Sequence, residues 1–230
     1  MIFRQLFDRE SYTFSYLLAD KESGEAALID PVFENMPKYI SLIEQLGLSL
    51  RFAIDTHVHA DHISALASLR KKYHCETVHG EHSEAKGITL RIKNDKCLMI
   101  GKLKLKALYT PGHTSDSYCF LLKQKTGSLL FTGDTLLIGG TGRTDFQNGC
   151  AEKQYESLFN NILRLDDSTS VYPGHDYKGF SVSTIKEEKS FNPRLQVSSI
   201  VEYCDLMNNL NLQKPNKIHI AVPANLEGGK

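Results

Sequence analysis

The hydrophobic and polar positions change period several times along the chain. Residues 2–7, 11–19 and 25–30 alternate like strands, with polar turns at Asp8-Arg9-Glu10 and Lys21-Glu22-Ser23-Gly24. This opening predicts an antiparallel meander. Between Asn35 and Leu46, Met36, Ile40, Leu42, Ile43 and Leu46 return at helical spacing, and Gly47 can end the helix. Leu48–Asp55 reads as a short strand, and Asp61–Lys72 as a helix opened by Asp61 and His62. Further strands are predicted over 97–109, 117–123, 128–132 and 169–172. Ala151–Leu165 is an amphipathic helix with Tyr155, Leu158, Phe159, Ile162 and Leu165 on one stripe, and helices fill 181–190 and 195–210. Meanders joined to helical crossovers predict a layered α/β sandwich. No repeat or linker divides the 230 residues, so one domain over 1–230 is expected, the helices at about 181–210 included.

Composition removes several classes. Lys+Arg and Asp+Glu both total 27, so no surplus charge holds the chain to nucleic acid or an anionic membrane. No apolar run is long enough to cross a bilayer, and the N-terminus alternates instead of presenting a signal-peptide core. Five widely spaced cysteines, with no CxxC, do not form a disulfide framework. These features predict a cytoplasmic protein with no membrane or nucleic-acid partner.

The chemistry concentrates in Thr56-His57-Val58-His59-Ala60-Asp61-His62. His57 and His59, two apart at a strand end, can face one side. Four ligand-type side chains in six residues is a metal-site density, since an unpaired buried charge costs several kcal/mol. Three later segments each set a candidate ligand beside glycine after a predicted strand: Pro111-Gly112-His113, Gly133-Asp134 and Pro173-Gly174-His175. Such junctions can converge on one rim. The residues themselves leave open one metal or two.

The ordered set resembles the metallo-β-lactamase superfamily. The resemblance implies a four-layer αβ/βα sandwich with the metal site along one sheet edge. It would place His57, His59 and His113 at one metal position and Asp61, His62 and His175 at another, with Asp134 between. A second layer of motifs narrows the likeness: Thr141-Gly142-Arg143-Thr144-Asp145-Phe146-Gln147, Tyr172-Pro173-Gly174-His175-Asp176-Tyr177, Phe191-Asn192-Pro193-Arg194-Leu195 and Ala221-Val222-Pro223-Ala224-Asn225. Together these resemble the glutathione persulfide dioxygenases. Thr141 departs from that pattern, where cysteine commonly stands, and so does Ser115-Asp116, read as a change in the pocket floor.

That resemblance implies one iron(II) per chain, held by His57, His113 and Asp134 in a facial triad with open positions for substrate and O2. His59, Asp61, His62 and His175 would then orient ligands and manage protons, or hold a second metal. Glutathione persulfide and O2 would be the substrates, with sulfite and glutathione as products. A homodimer is a further implication. Arg143 is the first candidate for a substrate carboxylate; an internal pair with Asp145 or another acid, bracing the site loop, is an equal reading, and the two can hold at once. Tyr177 is the second candidate; Lys178 and Arg194 read as solvated or structural. The alternative is a glyoxalase II-like thioesterase with a dinuclear site, zinc included, although the C-terminal region is short for that group's glutathione-binding helices. His74, His79 and His82 read as exposed, His219 as a strand residue, Cys119 as core and Cys150 as structural.

Overall fold

The computed structural model describes residues 1–213 and 217–229. Two six-stranded sheets face each other. The first runs β1 (Ile2–Phe7), β2 (Phe14–Ala19), β3 (Glu25–Ile29), β4 (Ser49–Ile54), β5 (Glu76–Gly80), β6 (Leu90–Ile92) in spatial as in chain order. Its first three strands are antiparallel, the predicted meander, and its last three join in parallel. The second sheet contains β7 (Cys97–Ile100), β8 (Leu103–Tyr109), β9 (Tyr118–Gln124), β10 (Gly127–Gly133), β11 (Ser170–Pro173) and β12 (Ser183–Thr184), again in sequential order.

Side chains from the facing surfaces, among them Tyr16, Ile29, Ile54, Phe120 and Phe131, form the central core. Each fully buried side chain of this size contributes about 1.5–3 kcal/mol. The outer face of the first sheet is covered by α1 (Met36–Gln45) and α2 (Leu66–Tyr73), and Tyr39, Ile43, Leu66 and Leu69 pack beneath them. The outer face of the second sheet is covered by α3 (Ala151–Glu156), α4 (Ile185–Phe191) and α5 (Ile200–Asn208). The αβ/βα sandwich expected from the sequence is therefore present. Residues 151–164 are helical throughout, as the apolar stripe predicts, but a π turn over 157–161 interrupts the α geometry. Among the described residues no helix is long and apolar enough to cross a membrane.

Several predicted boundaries move. The strand expected over 97–109 is a hairpin, folded at Gly101 with φ 55°. The helix expected from Asp61 begins only at Leu66. Val32 bridges to Ser64, while Phe33 N donates to the Ile63 carbonyl and Ala65 N to that of Pro31. These bonds hold 61–65 out of the helix, so Asp61 and His62 lie on a loop. The segment read as exposed around Tyr73–Lys86 contains β5, whose His79 is buried. The 195–210 helix is shorter, starting where the Ser199 side chain accepts from Glu202 N. His219 sits not on a strand but on α6 (Ile218–Leu226). The β-branched residues of that segment favour a strand, but its docking onto the loop at Ser64 selects a helix.

Candidate metal centre

The Thr56–Ser64 segment has little regular structure of its own, so its backbone polar groups need partners from elsewhere. Four side chains supply them. Asp30, at the end of β3 with φ 48°, accepts from Thr56 N at 2.7 Å. Asp116 accepts from Val58 N at 3.1 Å, and Gln147 donates to the Val58 carbonyl at 2.6 Å. Asn225 of α6 donates to the carbonyls of His59 and His62 at 2.9 and 2.8 Å and accepts from Ser64 N. The Cys97–Tyr109 hairpin, β9, β10 and β11 bring His113, Asp134 and His175 to the same edge of the sandwich. Asp116 thus braces the histidine loop and is not among the residues lining the cavity.

His57, His113 and Asp134 each offer one ligand atom, and the three atoms lie within 4.8 Å of one another. Hydrogen bonds set the tautomers that a metal requires. The Thr56 hydroxyl donates to Asp30 Oδ2 at 3.0 Å, so it can only accept from His57 Nδ1, also at 3.0 Å. His113 Nδ1 donates to the Arg143 carbonyl at 2.7 Å. Both rings therefore carry the Nε2 lone pair. Asp134 accepts from His175 Nδ1 through Oδ1 at 2.7 Å, leaving Oδ2, which is 3.6 Å from His113 Nε2. Burial, together with His59 and His113, pushes the His57 pKa well down and keeps the ring neutral. Two imidazoles that each engage Nδ1 and turn Nε2 to the site, with a carboxylate beside them, suit a divalent transition metal.

His59, Asp61 and His62 form a second group of the same dimensions, and Asp30, Asp55 and His59 a third. In the second group, His59 Nδ1 and His62 Nε2 are buried without a hydrogen-bond partner. Burial lowers the His59 pKa, but Asp30, 3.2 Å from His59 Nε2, more than offsets it and holds it at about 9. Asp61 Oδ2 accepts from His62 Nδ1 at 2.8 Å, His175 Nε2 at 3.0 Å and Thr13 Oγ1 at 3.0 Å. His175 therefore spends both nitrogens on carboxylates. Burial opposes its charge, yet Asp134 and Asp61 raise its pKa well above the ordinary histidine range. Burial also opposes ionisation of both partner carboxyls, and His175 more than reverses this, holding each well below the usual range. The result is a carboxylate–imidazolium–carboxylate chain from Asp61 to Asp134. His79, read as exposed, instead lies 3.3 Å from Asp55 and 3.1 Å from Ser83. Its place on a half-buried parallel strand, invisible in a polar segment, explains the difference.

A cavity of about 540 Å³ opens over the first group, walled by Tyr12, Thr141, Arg143, Tyr177, Lys178, Arg194 and Lys217 among others. Arg143 lines it, but its guanidinium grips Asp145 at 2.6 and 2.7 Å and donates to the Gln213 carbonyl. The internal pair with Asp145 is thus present. Tyr177 is 65% exposed, its ring parallel to that of His175 and 5.3 Å from that of Tyr12. Cys119 is core, and Cys150 donates to Glu152 outside the cavity lining.

Asp30, Thr13 and Gln154 went unnoticed in the sequence, and Asn225 stood out only as part of the C-terminal motif, with no role read for it. A lone polar residue carries no periodic signal, and each acts on a residue 12 or more positions away in the chain. Removing Asp30 strands Thr56 and a charged, buried His59. Asp30→Ala should therefore lower the unfolding free energy by about 3–5 kcal/mol. Urea denaturation checks this, and a loss below about 1 kcal/mol would contradict the role.

Paired sheets, flanking helices and a histidine–aspartate cluster on one shared edge define a metal-binding protein of the metallo-β-lactamase type. The Metallo-beta-lactamase superfamily model matches residues 8–175. "Persulfide dioxygenase ETHE1, mitochondrial" of Homo sapiens is 46% identical over all of this chain and 89% of its own length. The crystal structure of ETHE1 from Myxococcus xanthus superposes with a TM-score of 0.96 at 45% identity, covering both chains completely. A hydroxyacylglutathione hydrolase of Dictyostelium discoideum is 33% identical over 86% of this chain and 74% of its own length. The chain belongs to the metallo-β-lactamase superfamily and, within it, to the persulfide dioxygenase family.

Proposed function

We propose that this protein is an iron-dependent persulfide dioxygenase that oxidises glutathione persulfide with O2 to sulfite and glutathione. The observation that carries this reading is the triad of His57, His113 and Asp134 at the base of the cavity, in a chain 46% identical to a curated persulfide dioxygenase. Overall, one persulfide, one O2 and one water yield glutathione and sulfurous acid, which ionises to sulfite. Iron(II) held by the three side chains supplies the redox change that lets O2 react with sulfur, which zinc cannot.

The chain's own residues do the rest. Thr56 and the Arg143 carbonyl keep both imidazoles turned with Nε2 toward the cavity. The Asp61–His175–Asp134 chain holds a proton beside the site and fixes which oxygen Asp134 presents. Tyr12 and Tyr177 form an aromatic lip. Lys178, on the cavity wall, is a cation available to a substrate carboxylate; Lys217 beside it faces Glu10 and Glu34, and Arg143 is held by Asp145 and shapes the wall.

The hydrolase alternative draws on one observation, the unpartnered His59 and His62 nitrogens beside Asp61. On that reading His175, now between Asp134 and Asp61, would give up its bond to Asp61 to bind the second metal. Metal analysis coupled to an oxygen electrode separates the two. The expected result is about one iron per chain and O2 uptake that tracks sulfite formation. Chelation should abolish turnover, and iron(II) but not zinc should restore it. Two metals per chain, with S-lactoylglutathione hydrolysed and no O2 consumed, would overturn the proposal.

A further inference from the structure

His113 owes its tautomer to a main-chain carbonyl, so whatever fixes that carbonyl also fixes the ligand. Arg143 belongs to the strap Thr141-Gly142-Arg143, which crosses directly over the site. Three consecutive carbonyls of the strap each accept from a side chain elsewhere. Thr141 O accepts from Arg194 Nη1, Gly142 O from Gln154 Nε2 at 3.1 Å, and Arg143 O from His113 Nδ1 at 2.7 Å. The strap also donates back to a second member of the triad, because Gly142 N bonds the Asp134 carbonyl at 2.7 Å. It therefore touches two of the three residues assigned to the metal.

Gln154 is fully buried on α3 and is satisfied at both ends. Its Nε2 donates to the strap, and its Oε1 accepts from the Tyr203 hydroxyl at 2.8 Å. Tyr203, on α5, is also fully buried, and its hydroxyl lies 3.4 Å from Thr141 Oγ1. A buried amide is expensive unless every polar atom is paired, and one with two dedicated partners has a single orientation.

We infer that Gln154 is a positioning residue for the metal centre: locked by Tyr203, it holds the Gly142 peptide and thereby aims the Arg143 carbonyl at His113 Nδ1. Helices α3 and α5 thus act on the ligand through the strap. The inference rests on His113 being a metal ligand, as proposed above, but not on the metal being iron or on the reaction being an oxygenation.

The test uses the full-length protein loaded with cobalt(II), whose visible bands report ligand number and geometry whatever the enzyme turns over. Gln154→Leu should weaken cobalt affinity about tenfold, the lower end for groups that orient a metal-bound histidine, and shift the bands. Tyr203→Phe removes one oxygen atom and should cause a smaller loss in the same direction. Joined to Gln154→Leu it should add nothing. Equal cobalt affinity and unchanged bands in both Gln154→Leu and Tyr203→Phe, with only a lower melting temperature, would overturn the inference and leave a packing role. Should Gln154→Leu fail to fold, Tyr203→Phe decides alone: a weaker, shifted cobalt site supports positioning, and an unchanged one removes it. His113→Ala fails differently, since an undiminished cobalt site in that variant would sink the metal assignment itself.

Discussion

His57→Ala, His113→Ala and Asp134→Ala should each abolish iron retention after desalting and cut sulfite formation by more than about 100-fold, the upper end of what losing a mere orienting partner costs. The reason is geometric. The triad has only three donors, and their ligand atoms lie within 4.8 Å of one another, so no spare group of the triad replaces a lost one. Asp134→Ala should be the most severe, because it also leaves the His175 imidazolium buried with one carboxylate instead of two. Iron content by elemental analysis, set beside the sulfite rate, checks the series. The comparison with His59→Ala is the informative one. In the mononuclear reading His59 orients through Asp30 and its loss should retain iron; loss of half the bound metal, from an initial two per chain, would favour the dinuclear reading.

Gly142→Ala carries the second large effect. A Cβ at residue 142 would lie 2.7 Å from His113 Nδ1 and closer still to the Asp134 carbonyl, and neither neighbour is the free end of a flexible chain. The strap would have to lift, breaking the bond between Arg143 O and His113 and that between Gly142 N and Asp134 O together. Overpacking of this kind costs about 1–3 kcal/mol in stability. The larger consequence is expected in function, with a misaimed His113 and metal affinity reduced well beyond the Gln154→Leu effect. Thermal melting and cobalt titration of one preparation separate the two contributions. A variant with parental cobalt affinity would show that the strap does not aim the ligand. Gly112→Ala makes a useful contrast: its Cβ would meet the Gln154 backbone nitrogen at 2.5 Å and the Gln154 Cα closer still, with φ at 145°, so it should act first on stability.

Much of the molecule could be read before folding was considered. The alternation over residues 2–30 gave the meander, and the stripe Met36–Leu46 gave α1, because both segments bury one regular face. The ligand candidates were legible because each stands beside glycine or in a dense histidine run at a strand end. Where the reading failed, long-range contacts had overruled local pattern. The 61–65 segment is pinned to residues 31–33 instead of continuing into α2, and α6 is helical despite its β-branched sequence because Asn225 clasps the histidine loop.

The sequence by itself determined the layered sandwich and the inventory of donors, since periodicity and residue chemistry are local properties of the chain. Only the tertiary structure decided how those donors divide their labour. Whether a histidine offers a lone pair or a proton depends on what its other nitrogen meets, and for His57, His113 and His175 those partners come from Thr56 held by Asp30, from the Arg143 carbonyl, and from a pair of distant aspartates. Hydrogen-bond direction is set by neighbours in space, and the chain order does not encode it in any single motif.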